Sequence, residues 1–138
     1  MNTIAKTYSN QGLIAQWLQS QDVAGSPEGS GHAQGQGRWV IAFDQVRVHL
    51  MELNDKIILL QARVMDIPNQ AGASEKLLTR AMQTASARLN TSPTGLSVDA
   101  DGSALWLQVQ LPTDSSINQM TQAVQGLINE VELWRHAL

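Results

Sequence analysis

The chain has no cysteine, so it holds no disulfide and offers no thiol nucleophile. That absence fits a reducing compartment. No apolar run approaches the roughly 18 residues that mark a membrane-spanning helix, so no membrane insertion is expected. The opening Met1-Asn2-Thr3-Ile4-Ala5-Lys6 lacks the charged-then-apolar pattern of a signal peptide. Basic residues form no cluster, and 9 Lys and Arg are outnumbered by 12 Asp and Glu, for a formal net charge of −3. Nucleic acid is therefore not an expected partner. Charged residues are only 15% of the chain, yet it carries four tryptophans. Some of its large apolar side chains are expected to be covered by something other than its own fold.

What is present is clearest from Gly95 onward. Leu96 and Val98 alternate with polar residues, and Asp101-Gly102 supplies a turn in which positive φ is cheap. Leu105, Leu107, Val109 and Leu111 then alternate with Ala104, Trp106, Gln108 and Gln110, predicting a strand with one core face. Pro112 ends it, because proline cannot donate to the ladder. Ile117, Met120, Val124, Leu127, Ile128, Val131, Trp134 and Leu138 recur at three- and four-residue spacing, the stripe of an amphipathic helix. Ser116 and Gln119 fit a capping box at its start. The hairpin and helix should pack together as the platform for the earlier elements.

Upstream, residues 3–19 read as a helix interrupted by Gly12, with Ile4, Tyr8, Ala15 and Leu18 on one face and Ile14 and Trp17 beside it. Residues 20–37 read as a flexible linker, rich in glycine with Gly25, Gly29, Gly31, Gly35 and Gly37. They lack the Gly-Lys-Ser/Thr ending or the following helix that a phosphate-cradling loop needs. Three strands follow over residues 38–67, turning at Asp44-Gln45 and Asn54-Asp55. The third opens with Ile57-Ile58-Leu59-Leu60, apolar on both faces, which predicts cover on both sides. A second helix is predicted over residues 74–89, with Ser74 as N-cap and a stripe of Leu77, Leu78, Ala81, Met82, Ala85 and Leu89. The order helix, three strands, helix, two strands, helix is that of one α+β domain over residues 1–138, with an antiparallel twisted sheet and flanking helices.

Catalytic and metal chemistry find little support. His32, His49 and His136 have no ligand spacing, and no metal or cofactor is expected. Asp99 to Gly102 begins like a calcium loop but lacks the later oxygens and the glutamate. Trp106 stands in the non-core phase of its strand, covered there by a helix or exposed as an interface anchor. The same choice applies to Leu13 and Trp17 on the first helix and to Trp39, Ile41 and Phe43 on the first strand. Whichever set faces outward is the candidate binding surface.

The element order resembles that of the class I type III secretion chaperones, the Tir-chaperone-like family of bacteria. The residues that carry the likeness are Ile57-Ile58-Leu59-Leu60 running to Asp66-Ile67-Pro68, Leu77-Leu78 and Leu89-Asn90 in the second helix, Gly95 to Asp99 through Asp101-Gly102 to Leu105-Trp106-Leu107 and Leu111-Pro112, and the closing Val131 to Leu138. The linker is longer and richer in glycine than the family's usual helix–strand connection. The resemblance implies a non-enzymatic homodimer in the bacterial cytoplasm. Its client would be the N-terminal segment of a secreted effector, bound extended and kept soluble and secretion-competent. A secretion ATPase or sorting platform would be a further partner. By the same likeness the first helix and strands would present the client surface, through Leu13, Ile14, Trp17, Leu18, Trp39, Ile41, Phe43, Val46 and Val48. The second helix and the last hairpin would build the dimer through Leu78, Met82, Ala85, Leu96, Val98 and Trp106. The alternatives are an adaptor dimer of the same fold without a secretion role, and a small hydrolase or transferase using Asp99, Asp101 or His49.

Overall fold

A computed structural model describes residues 12–21 and 38–138 of the chain. Its elements are α1 (Gly12–Gln21), β1 (Arg38–Phe43), β2 (Val46–Glu52), β3 (Ile57–Asp66), α2 (Ala71–Ala87), β4 (Gly95–Val98), β5 (Ala104–Pro112) and α3 (Ile117–Ala137). This is the order expected from periodicity. Residues 3–11 of the expected first helix and residues 22–37 of the expected linker lie outside the described residues. Ser20 and Gln21, assigned to that linker, continue α1 instead. Gly12 is the first described residue of α1, at φ 86°, where a side chain would be strained and its Cβ would lie 2.5 Å from Glu52 Oε2.

The five strands form one sheet in the order β1-β2-β3-β5-β4, every neighbouring pair antiparallel. The register sorts the side chains into two faces. Ile41, Val48, Leu60, Ala62 and Leu107 stand on the inner face, packed with α1 and α3 in one core cluster. Arg38, Arg47, His49, Gln61, Arg63, Trp106 and Gln108 stand on the outer face. Ile58, Leu59 and Leu60 of β3 are buried on both faces of the sheet, as the double apolar phase predicts. Ile58 and Leu60 face inward, while Leu59, on the outer face, is flanked in register by Met51 and Gln110 and is 8% exposed.

The turns follow the sequence closely. Asp44 takes φ 55° between β1 and β2. The Asn54 side-chain oxygen accepts from the backbone N–H groups of Lys56 (2.7 Å) and Ile57 (3.1 Å) before β3. Between β4 and β5 only Gly102 has positive φ (71°), so the connection is not a two-residue primed turn. The Asp99 carboxylate closes it instead, accepting from the Ser103 and Ala104 N–H groups at 3.0 Å each. Helix α3 opens on the predicted capping box. The Gln119 N–H donates to Ser116 Oγ (3.1 Å) and the Ser116 N–H to Gln119 Oε1 (2.8 Å). Its stripe of Met120, Val124, Leu127, Ile128, Val131 and Trp134 is buried as a unit.

Helix α2 departs from its expected form. It starts at Ala71, three residues before the predicted boundary, with Gln70 as N-cap and no side-chain cap bond. Ser74 lies inside it and donates to the Ala71 carbonyl at 3.0 Å. Of its apolar stripe only Ala81 is buried, while Leu78 is 36% exposed, Met82 65% and, just past the helix, Leu89 75%. Polar contacts tether it to α3: the Arg88 guanidinium pairs with Glu130, and Arg80 donates to the Leu138 carbonyl at 3.3 Å.

Candidate client and dimer surfaces

The residues expected to meet a client divide into two groups. Leu13, Ile14, Trp17, Ile41, Val46 and Val48 are at most 6% exposed, because α1, β1 and β2 spend these side chains on their own sheet–helix contact. They belong to the core cluster of the described residues. Trp17 is held further by its indole N–H, which donates to Thr121 Oγ1 on α3 at 2.9 Å. Leu18, Trp39 and Phe43 are only partly buried, packed at the margin of the core cluster. Trp39 and Phe43 lie on β1, a sheet edge whose outer row of backbone groups has no strand partner among the described residues. Large apolar side chains beside an unpaired edge can take up an extended chain. Main-chain bonds hold it, and its alternate side chains enter the hollows between those residues.

The residues expected to build a dimer also divide. Leu78, Met82 and Ala85 share α2, and the exposed Val98 and half-buried Leu96 lie on β4, the opposite sheet edge. Among the described residues Leu78, Met82, Val98 and Leu89 leave apolar surface uncovered, while Ala85 and Leu96 pack partly against the core. Trp106 is separated from them: it pairs with Ser97 in register, on the outer face, whereas Leu96 and Val98 point inward. One flat contact cannot bury Trp106 together with those two residues.

The outer face has its own organisation. The rings of His49 and Trp106 meet edge-to-face, centroids 5.2 Å apart and planes at 72°. The Trp106 indole N–H reaches Asp99 Oδ2 at 3.4 Å, and Gln61 donates to Gln108 at 3.2 Å. Burial lowers the pKa of His49, and the charges of Arg38 and Arg47 lower it further. For Asp99, desolvation pushes the pKa up. The bonds it accepts from the Ala104 N–H, the Ser103 hydroxyl, the Trp106 indole and the Ser103 N–H outweigh this and leave it lowered. Glu52, beside the start of α1, has its pKa raised by desolvation and by the charge of Asp55.

An open hollow at the end of α3 is lined by Asp44, Gln45, Val46, Glu132, Arg135 and His136. Its guanidinium is already committed: Arg135 donates to the carbonyls of Val64 (2.8 Å), Arg63 (3.0 Å) and Gln45 (3.0 Å). Arg135 therefore acts as a strap between α3 and the sheet, next to the irregularity in β3 between Arg63 and Met65. Sequence spacing did not disclose this role, because a lone arginine in a last helical turn reads as a dipole partner. The arginines of the outer face were legible in principle, since Arg38 and Arg47 fall in the polar phase of their strands. Among the described residues no three His, Cys, Asp or Glu side chains converge as metal ligands, and no helix is long and apolar enough to cross a membrane.

Comparison with known proteins agrees with this architecture. The chain is similar to a chain of the heterodimeric ExoU–SpcU complex from the type III secretion system of Pseudomonas aeruginosa, with TM-score 0.64, 13% identity, and coverage of 91% of this chain and 98% of that one. It is similar to a chain of the complex between the Yersinia pestis type III secretion chaperone SycH and a stable fragment of YscM2 (TM-score 0.59, 18% identity, 91% and 98% covered). It is also similar to a chain of the HopA1–SchA chaperone–effector complex (TM-score 0.61, 16% identity, 88% of both chains covered). At these identities the likeness is one of fold. No curated protein sequence matches the chain. A model of the Tir chaperone protein (CesT) family matches residues 30–135, well over half the chain, and the chain belongs to that family.

Proposed function

We propose that this chain is a type III secretion chaperone that binds the N-terminal chaperone-binding segment of a secreted effector and keeps it soluble and secretion-competent. The observation that carries the reading is the β1 edge, unpaired among the described residues and bordered by the partly buried Leu18, Trp39 and Phe43, in a chain of this family. A client strand would lie along β1, and its apolar side chains would rest on that margin. Burial of apolar area contributes roughly 25 cal/mol per Å², offset by the cost of ordering the client. The chaperone works as a homodimer in the bacterial cytoplasm, formed through α2 and β4 by Leu78, Met82, Ala85, Leu96 and Val98. Holding an unfolded segment needs no bond broken, so no catalytic step or cofactor enters this reading. A secretion ATPase or sorting platform would receive the loaded complex.

Co-expression with the secreted protein encoded beside this chain, followed by pull-down, tests the reading. The N-terminal region of that protein should co-purify and become protease-resistant. Arg for Trp39 together with Asp for Phe43 should abolish co-purification while the dimer persists. Failure to retain any secreted protein's N-terminal region would sink the proposal.

A further inference from the structure

The outer face of the sheet carries charge opposite to that of the chain as a whole. The chain has a formal net charge of −3, yet Arg38, Arg47 and Arg63 all stand on this face, with His49 among them. Carboxylates near it are already occupied. Asp66 pairs with Arg63, and Asp99 is filled by donors from its own turn and from Trp106. Among the described residues, neither Arg38 nor Arg47 makes an ion pair. The pKa of His49 is lowered first by burial and then by the charges of Arg38 and Arg47, which both reach this face. At the centre, Trp106 is only partly buried and is fixed from two sides, by the His49 ring and by Asp99. A side chain held in this way loses little entropy when something packs on it.

We propose that this outer face binds an acidic peptide segment of a partner protein, its carboxylates on Arg38 and Arg47 and an apolar side chain against Trp106. Guanidinium groups suit carboxylates because their planar fork gives two parallel bonds. The charge pattern also separates this occupant from the other candidates. A second copy would set arginine against arginine across an isologous contact, and the uncharged apolar residues of α2 already offer a copy a better surface. Nucleic acid would need a longer basic track than two arginines without an ion pair among the described residues, in an acidic chain. This surface lies across the sheet from α1, and Arg38, on β1 itself, makes it adjoin the edge assigned to the client.

The test uses the full chain and a fluorescein-labelled decapeptide of glutamates with a central tyrosine, read by anisotropy, with a lysine decapeptide as control. The glutamate peptide should bind and the lysine peptide should not. Raising salt from about 0.05 M to about 0.3 M, which more than halves the screening length, should weaken binding severalfold. Arg38→Glu with Arg47→Glu should weaken it at least about tenfold without changing the sedimentation of the protein. The milder Arg47→Gln should give an intermediate loss in a protein of unchanged melting temperature. The indole N–H resonance of Trp106 should shift on titration. Equal binding of both peptides, no binding, or affinity unchanged by the substitutions would overturn the proposal. So would a change in oligomeric state in the Arg47→Gln protein, which would assign the face to a second copy.

Discussion

Asp99 shows how one side chain can replace a favoured turn sequence. Its two oxygens gather four donors across the β4–β5 connection, so the hairpin closes without a second residue at positive φ. Because those donors favour the ionised form, the folded pKa lies below the ordinary 3.8. The stability it adds is complete above that value and is lost as pH falls through the lower folded pKa. Asp99→Asn should therefore flatten the acid limb of stability against pH, as followed by urea melts, and leave the neutral limb parallel to that of the parent. The two buried tryptophans make a second contrast. Trp17 donates to Thr121 at 2.9 Å, whereas the Trp134 indole N–H finds no acceptor among the described residues. A satisfied bond adds about 1 kcal/mol, while an unmade one costs. Trp17→Phe should lower stability by about 1 kcal/mol more than Trp134→Phe does, once both are measured by denaturant titration.

At the scale of elements, α3 is bound twice, by its apolar stripe and by the Arg135 strap at its end. The stripe is the larger contribution: Leu127→Ala should cost about 2–5 kcal/mol. Arg135→Gln should cost about 1–2 kcal/mol, less than three charge-assisted bonds would suggest, because the residue is exposed to water. Hydrogen exchange should show the loss concentrated at the Arg63–Asp66 end of β3 and the β1–β2 turn. Helix α2 is the opposite case. It has the amphipathic period of a buried helix, yet among the described residues only Ala81 is fully buried, with Leu77 and Ala85 partly packed against the core. Two cation contacts, Arg88 with Glu130 and Arg80 with the Leu138 carbonyl, hold it beside α3 while Leu78 and Met82 face out.

For the whole molecule the exposed side of α2 sets the expected behaviour. Leu78→Asp with Met82→Asp removes apolar surface that one chain leaves open, so chain stability should change by less than about 0.5 kcal/mol per site. The same pair should convert the dimer to monomer in sedimentation at micromolar protein, since charge enters an interface core. A dimer that survives both substitutions would move the contact elsewhere. On the proposed reading the molecule presents three surfaces: a β1 edge for an extended client, the α2–β4 side for a second copy, and a cationic outer face that meets the β1 edge at Arg38. Their layout follows from the sheet, which has two edges and, among the described residues, one face covered by α1 and α3.

The sequence by itself determined the elements, their order and which face of each strand is apolar. Those properties rest on periods of two and 3.6 residues and on local devices such as Ser116 with Gln119, none of which needs a distant partner. It also carried the family resemblance, since that rests on element order and on stretches such as Leu105-Trp106-Leu107. Only the tertiary structure decided which apolar residues are spent inside the chain. Trp17, Ile41 and Val48 read no differently in sequence from Trp39, Phe43 and Met82, and burial depends on where α1, α2 and α3 come to rest against the sheet. The strap of Arg135 on Val64, Arg63 and Gln45, and the meeting of His49 with Trp106, join residues far apart in the chain. Such contacts are set by register and packing, which no local period encodes.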